Sequence, residues 1–147
     1  MREPPRVHDH PVLGPVGFDP SLFCWQTRSE VPLGDADRVE VAVAVDGDED
    51  IPVERLDEVA AIVRRLDPQA LRGAVAEQYL ELYNDTWRQD GDELDHREFV
   101  ARIRPTFVDV DLDTIQVYFD DGELFGGHSI VLMLDTDLQV LDVKLAG

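Results

Sequence analysis

Apolar residues recur along this chain with two different periods, and the switches between them divide it into strands, helices and strands again. Val39, Val41, Val43 and Val45 share one side of an extended segment while Glu40, Ala42 and Ala44 take the other, which predicts a strand. From Leu56 the spacing lengthens. Leu56, Val59, Ala60, Val63 and Leu66 fall at three- and four-residue intervals, the stripe of an amphipathic helix. Asp67-Pro68 restarts the chain into a second helix, because Asp67 can accept the free amides of the first turn and Pro68 lacks only a donor that would be unpaired there. That helix carries Leu71, Ala74, Val75, Tyr79, Leu82 and Tyr83 and is expected to run to about Trp87, where the polar stretch RQDGDE ends it. A third helix opens on Asp95 as cap with Glu98 three residues on and Leu94 placed to staple Phe99, and it must stop before Pro105.

Period two then returns. Val108, Val110 and Leu112 are expected to face inward and Asp109, Asp111 and Asp113 outward, with Phe107 breaking the pattern at the start. Ile115, Val117 and Phe119 begin the next strand, and Asp120-Asp121-Gly122 signals a hairpin turn. Residues 129–134 are apolar on both sides, which places that strand centrally, under helices on one side or both, and a last strand covers 140–145. Towards the N-terminus, residues 1–10 are polar and read as a loose arm. HPVLGPVGFDP reads as a short strand with turns at Gly14-Pro15 and Asp19-Pro20, and residues 22–33 as a second strand or hairpin arm. The expected architecture is a single α+β domain over residues 11–147, mainly antiparallel: N-terminal strands, three central helices packed on the sheet, and a C-terminal four-strand meander.

Composition adjusts that picture. A chain of 147 residues can bury roughly 70% of its unfolded surface without a disulfide or metal staple. Its formal charge of -19 opposes binding to nucleic acid or to an anionic membrane, and favours a basic protein partner. The only lysine is Lys144, and aspartate outnumbers glutamate. A GC-rich genome or life in high salt would produce the same bias without an acidic binding site. Cys24 is the only cysteine, fits a reducing cytoplasm, and lies between Phe23 and Trp25 as a buried structural thiol would. No apolar run approaches the roughly 20 residues that span a bilayer, so a cytoplasmic setting is expected.

Chemistry is harder to place. His8 and His10 lack the further ligands of a structural zinc site, and DGDEDIP has Ile51 where a calcium loop needs glycine. Asp109, Asp111 and Asp113 would lie about 7 Å apart along an extended strand, which suits a solvated acidic face better than a chelate. The sequence therefore points to no metal and no cofactor, and no nucleophile elbow or phosphate loop is present. His128 is the strongest candidate. It follows Gly126 and Gly127, and a carboxylate from Asp120 or Asp121 beside it would make it a general base or a pH-sensitive contact. The simpler reading is a ring that bonds a backbone carbonyl and locks the turn. Asn84, Asp85 and Trp87 cluster at the end of the second helix, where Asn84 could terminate the helix or bond the glycine elbow.

The ending DDGELFGGHSIVLMLDTDLQVLDVKLAG, with YLELYNDTW, REFVARIRP and a short LG near the N-terminus, resembles an uncharacterised bacterial domain of unknown function. Members share aspartate-glycine, then LFGGH or LFWGH, then an apolar strand closing on glycine. The resemblance covers about Pro11 to Gly147 and implies a fold and a bacterial, cytoplasmic setting, with no activity to carry over. By looser analogy, small acidic α+β proteins resemble immunity proteins that neutralise toxins between competing bacteria.

Two functions remain in view, beside an accessory domain that acts only when joined to another chain. One is a non-enzymatic, immunity-like interaction domain that meets a basic partner through Asp109, Asp111, Asp113, Asn84, Trp87, Gly126, Gly127 and His128, with Trp25 or Trp87 as buried anchors. The other is a small acid-base hydrolase using His128 with Asp120 or Asp121.

Overall fold

The computed structural model describes residues 6–21, 24–44, 50–89 and 91–146. Five strands come first: β1 (Val7–His10), β2 (Gly14–Asp19), β3 (Cys24–Thr27), β4 (Val31–Leu33) and β5 (Asp37–Ala44). Helices α1 (Val53–Arg65), α2 (Pro68–Leu82) and α3 (His96–Arg102) follow, then strands β6 (Arg104–Val110), β7 (Thr114–Asp120), β8 (Ser129–Asp135) and β9 (Val140–Ala146). All the strands belong to one sheet, in the order β1-β2-β3-β5-β6-β7-β8-β9 with β4 also on β5. The α+β architecture with a C-terminal meander is as the sequence predicts.

Every pairing is antiparallel except β5 with β6. That exception explains the helices. A chain leaving the end of β5 must travel back along the sheet before β6 can run parallel to it, and the helical segment makes that crossover. The α1 stripe of Leu56, Val59, Ala60 and Val63 is buried on the way. Asp67 accepts from the amides of Gln69 and Ala70 at the start of α2, and Asp95 and Glu98 form a reciprocal capping box on α3.

The helices cover one face of the sheet. Its inward rows run across the strands: Trp25, Val43, Val110, Ile115 and Leu134 in one, Val41, Val108, Val117, Leu132 and Val143 in the next. All of these are buried in one core with the helix stripes. On the other face Phe107 pairs with Tyr118, and Tyr118 with Val131, which is only 1% exposed, so β8 is buried on both sides.

Several local expectations shift. Val7–His10, read as part of a loose arm, is an edge strand, because His8 bonds Asp50 at 2.8 Å and His10 bonds Asp57 at 2.7 Å far along the chain. Gly14-Pro15 begins β2 instead of turning; the turn lies at residues 11–13. The arm at 22–33 is two strands, β3 and β4, and between Gln26↔Ala42 and Val31↔Val39 five steps along one side match three along β5. Thr27 fills the resulting gap by accepting from the Val41 amide. The strand predicted through Leu112 ends at Val110, since the Asp111 amide turns back to the Thr114 carbonyl and leaves Leu112 57% exposed. A bulge between Pro105 and Phe107 accounts for the broken alternation there. The calcium-like residues Asp46 and Asp48 lie outside the described residues.

Two sets of long-range bonds escaped the sequence reading. Arg72 of α2 grips Asp37 of β5 with two bonds of 2.8 Å and donates a third to the Ile103 carbonyl. This buried fork ties helix to sheet at the crossover. On β9, the edge strand, the Val143 carbonyl accepts from the Tyr79 hydroxyl and its amide donates to the Asp142 carboxylate, which blunts the edge against an added strand.

Candidate functional site

The connection between β7 and β8 is residues 121–128, longer than the tight hairpin that Asp120-Asp121-Gly122 suggested. Its centre is Asp121, only 2% exposed. One carboxylate oxygen accepts from the Glu123 amide at 3.0 Å; the other accepts from Phe125 at 2.9 Å and Gly127 at 3.0 Å. Charge-assisted bonds to main-chain donors are among the stronger hydrogen bonds in proteins, so this one side chain staples the whole loop. Asp120, at the exposed end of β7, accepts from the Gly122 amide at 2.8 Å. Gly122 has φ +59, and a Cβ there would collide with the Arg102 carbonyl, so the close crossing of α3 requires glycine. Arg102 completes the crossing by donating to the Gly122 carbonyl at 2.8 Å.

The motif residues divide between core and surface. Leu124 and Phe125 point inward, and Phe125 is fully buried among the rings of Tyr79, Tyr83, Trp87 and Phe99. Gly126 and Gly127, at φ +70 and +85, reverse the chain and are exposed. His128 is half-buried, and its Nδ1 donates to the Phe125 carbonyl. A carbonyl only accepts, so Nδ1 carries the hydrogen, and in the neutral ring the lone pair would lie on Nε2. Among the described residues nothing bonds that Nε2, and no carboxylate lies within bonding reach of the ring.

A wider helical turn brings in the second wall. Tyr83–Trp87 forms a π-turn after α2, closed by the Arg88 amide reaching the Tyr83 carbonyl five residues back at 2.7 Å. It sets Trp87 edge-on to both Phe125 and His128, with centroids 5.6 and 5.7 Å away. Asn84 takes no part in the elbow: its amide donates to the Leu94 carbonyl and accepts from the Leu94 amide, both at 2.9 Å, fastening the turn to the approach to α3.

Two hollows flank the elbow and share Glu123. One, of about 210 Å3, is lined by Thr106, Asp120, Glu123, His128 and Ser129. The other, of about 390 Å3, is lined by Tyr83, Trp87, Gln89, Glu123, Leu124 and Gly126. Sequence reasoning missed Glu123, whose φ of +67 is a conformation that non-glycine residues seldom adopt.

The other proposed positions scatter. Asp109 is half-buried on the open sheet face, where burial and then the neighbouring Asp111 raise its carboxyl above the ordinary range. Asp111 and Asp113 occupy the exposed β6–β7 turn, so the three aspartates do not line one strand. Trp25 is wholly buried and offers nothing to a partner. Cys24 is half-buried, and burial, then Asp19 and Asp109, raise its thiol, which keeps it protonated and a poor nucleophile. No helix among the described residues is long and apolar enough to cross a membrane.

The geometry defines a class: one mostly antiparallel sheet with helices packed on its inward face, and a carboxylate-stapled glycine elbow exposed between two hollows. The chain belongs to a bacterial family, described as an uncharacterized protein conserved in bacteria (DUF2262), whose pattern it matches over residues 10–145. No curated protein and no solved structure matches it.

Proposed function

We propose that the domain acts by binding, as a non-enzymatic acidic module that meets a basic protein partner through its elbow face, in the manner of an immunity protein in a bacterial cytoplasm. The observation that carries this reading is how the elbow spends its polar groups. Asp121 gives its carboxylate to three backbone amides, and His128 gives Nδ1 to a backbone carbonyl, so the loop is held rigid without an assembled acid-base pair. Asp120 and Glu123 remain exposed on that rigid frame. A net charge of -19 would draw in a cationic partner and raise the encounter rate. The likeness to immunity proteins rests on size, acidity and a bacterial family.

The test is capture by immobilised domain from the cytosol in which it is made. A discrete basic partner is expected, with capture falling about tenfold or more between low and high salt as screening shortens, and lost with Asp120→Lys plus Glu123→Lys. Capture that ignores both salt and the double variant overturns the reading, as does capture of nothing.

The second reading, acid-base catalysis by His128, draws on the open Nε2 and the adjoining 210 Å3 hollow. It requires a carboxylate to approach the ring on substrate binding. Hydrolysis of any ester, amide or phosphoester substrate that disappears with His128→Gln at unchanged melting temperature would establish it in place of the first.

A further inference from the structure

We infer that the larger hollow beside the elbow is a receptor for a single arginine side chain of the partner protein, a specification that rests on the binding role proposed above. Three observations converge on it. The first is the lining: two aromatic rings, Tyr83 and Trp87, stand with one carboxylate, Glu123, and one amide, Gln89, around about 390 Å3. Both rings already pack edge-on against Phe125, at 76° and 72°, which reduces the rotamer freedom lost when a ligand arrives.

The second is Glu123 itself. Its backbone sits at φ +67, where glycine or asparagine would be less strained, and its amide is pinned there by Asp121. Strain kept at an exposed position by surrounding bonds is a mark of a side chain that is needed. Among the described residues no cation pairs with its carboxylate. Arg102 and Arg88, near in sequence or space, are spent on the carbonyls of Gly122 and of Asn84 and Gly91.

The third is the π-turn, an irregularity that recurs at functional sites and here delivers both Tyr83 and Trp87 to the wall. An anion would be repelled by Glu123, and an apolar group would strip water from that carboxylate without pairing it. A cation satisfies both the rings and the carboxylate. Guanidinium does so best, because its plane stacks on an aromatic face while its fork meets a carboxylate with two bonds.

The probe is the tripeptide Ac-Gly-Arg-Gly-NH2 titrated into the 15N-labelled full chain, with citrulline in place of arginine as the neutral isostere. Saturable shifts are expected at the Trp87 indole N–H and the amides of Glu123, Gly126 and Gly127, at least about tenfold weaker for citrulline and about fivefold or more weaker in Glu123→Gln. Glu123→Gln keeps shape and fold, so its result does not depend on a stable Trp87 variant. Unsaturable shifts, shifts spread over the acidic surface, or equal response to citrulline overturn the arginine receptor. An arginine-rich decapeptide separates the two levels: if it binds in low salt away from Trp87, the hollow is wrong and the acidic-module reading stands. If it does not bind at all, both fall.

Discussion

His10 is the last residue of β1 and His128 directly precedes β8, each at a turn, yet the fold uses them in opposite ways. The His10 side chain is only 5% exposed and spends both nitrogens: Nε2 meets Asp57, and Nδ1 accepts from the amides of Val12 and Leu13. His128 spends one nitrogen on the Phe125 carbonyl, leaves the other without a hydrogen-bond partner among the described residues, and lines a hollow. The first is a fastener; the second is a fastener with a free end. Counting how many polar atoms the chain consumes separates a structural histidine from an available one better than residue type or a neighbouring glycine does.

Breaking the root of the elbow should have the largest effect. Phe125→Ala removes a fully buried ring from the centre of the aromatic cluster and should cost about 3–5 kcal/mol of folding stability, read by urea unfolding. Arg72→Ala is expected to rival it, at about 3–5 kcal/mol, because it strands the Asp37 carboxylate in the crossover. The two should add, since one supports the elbow and the other the distant end of α2.

The histidines themselves sharpen the contrast. His10→Ala leaves the Val12 and Leu13 amides without their acceptor and should cost about 1–3 kcal/mol. His128→Ala should cost less than about 1 kcal/mol, with its effect appearing in partner capture instead. Equal destabilisation by the two would erase the distinction.

The smallest expected effect is a gain. Burial and Asp111 hold the Asp109 carboxyl above its usual value, so the folded state binds its proton more tightly than the unfolded chain does. That contribution is complete below the unfolded carboxylate range and is lost as pH rises through the folded value. Asp109→Asn should therefore raise the melting temperature slightly near pH 7 and leave it unchanged near about pH 3. A gain that persisted in acid would assign it to packing.

What the sequence foretold is what short-range physics determines. The α1 stripe, the Asp67-Pro68 start and the Asp95–Glu98 box each depend on residues within a turn or two, and all form as expected. The partners that build the site are set by contacts the pattern does not encode. Asp121 reads equally as a hairpin residue or a catalytic acid until the amides of Glu123, Phe125 and Gly127 are seen to surround it. Asn84 meets Leu94 and Arg72 meets Asp37 only because the helices fold back, and Trp25, read from the sequence as an anchor for a partner, is closed off within this chain by the β1 and β2 neighbours His8 and Phe18. Glu123 drew no notice because a positive φ leaves no trace in hydrophobic periodicity.

The central claim is that the glycine elbow is a prebuilt, carboxylate-stapled frame that presents a binding face. Amide hydrogen exchange at Glu123, Phe125 and Gly127 tests it most directly. These loop amides should exchange as slowly as neighbouring strand amides in the wild type, and at free-loop rates in Asp121→Ala while β7 and β8 stay protected. Fast exchange of all three in the wild type would contradict the account.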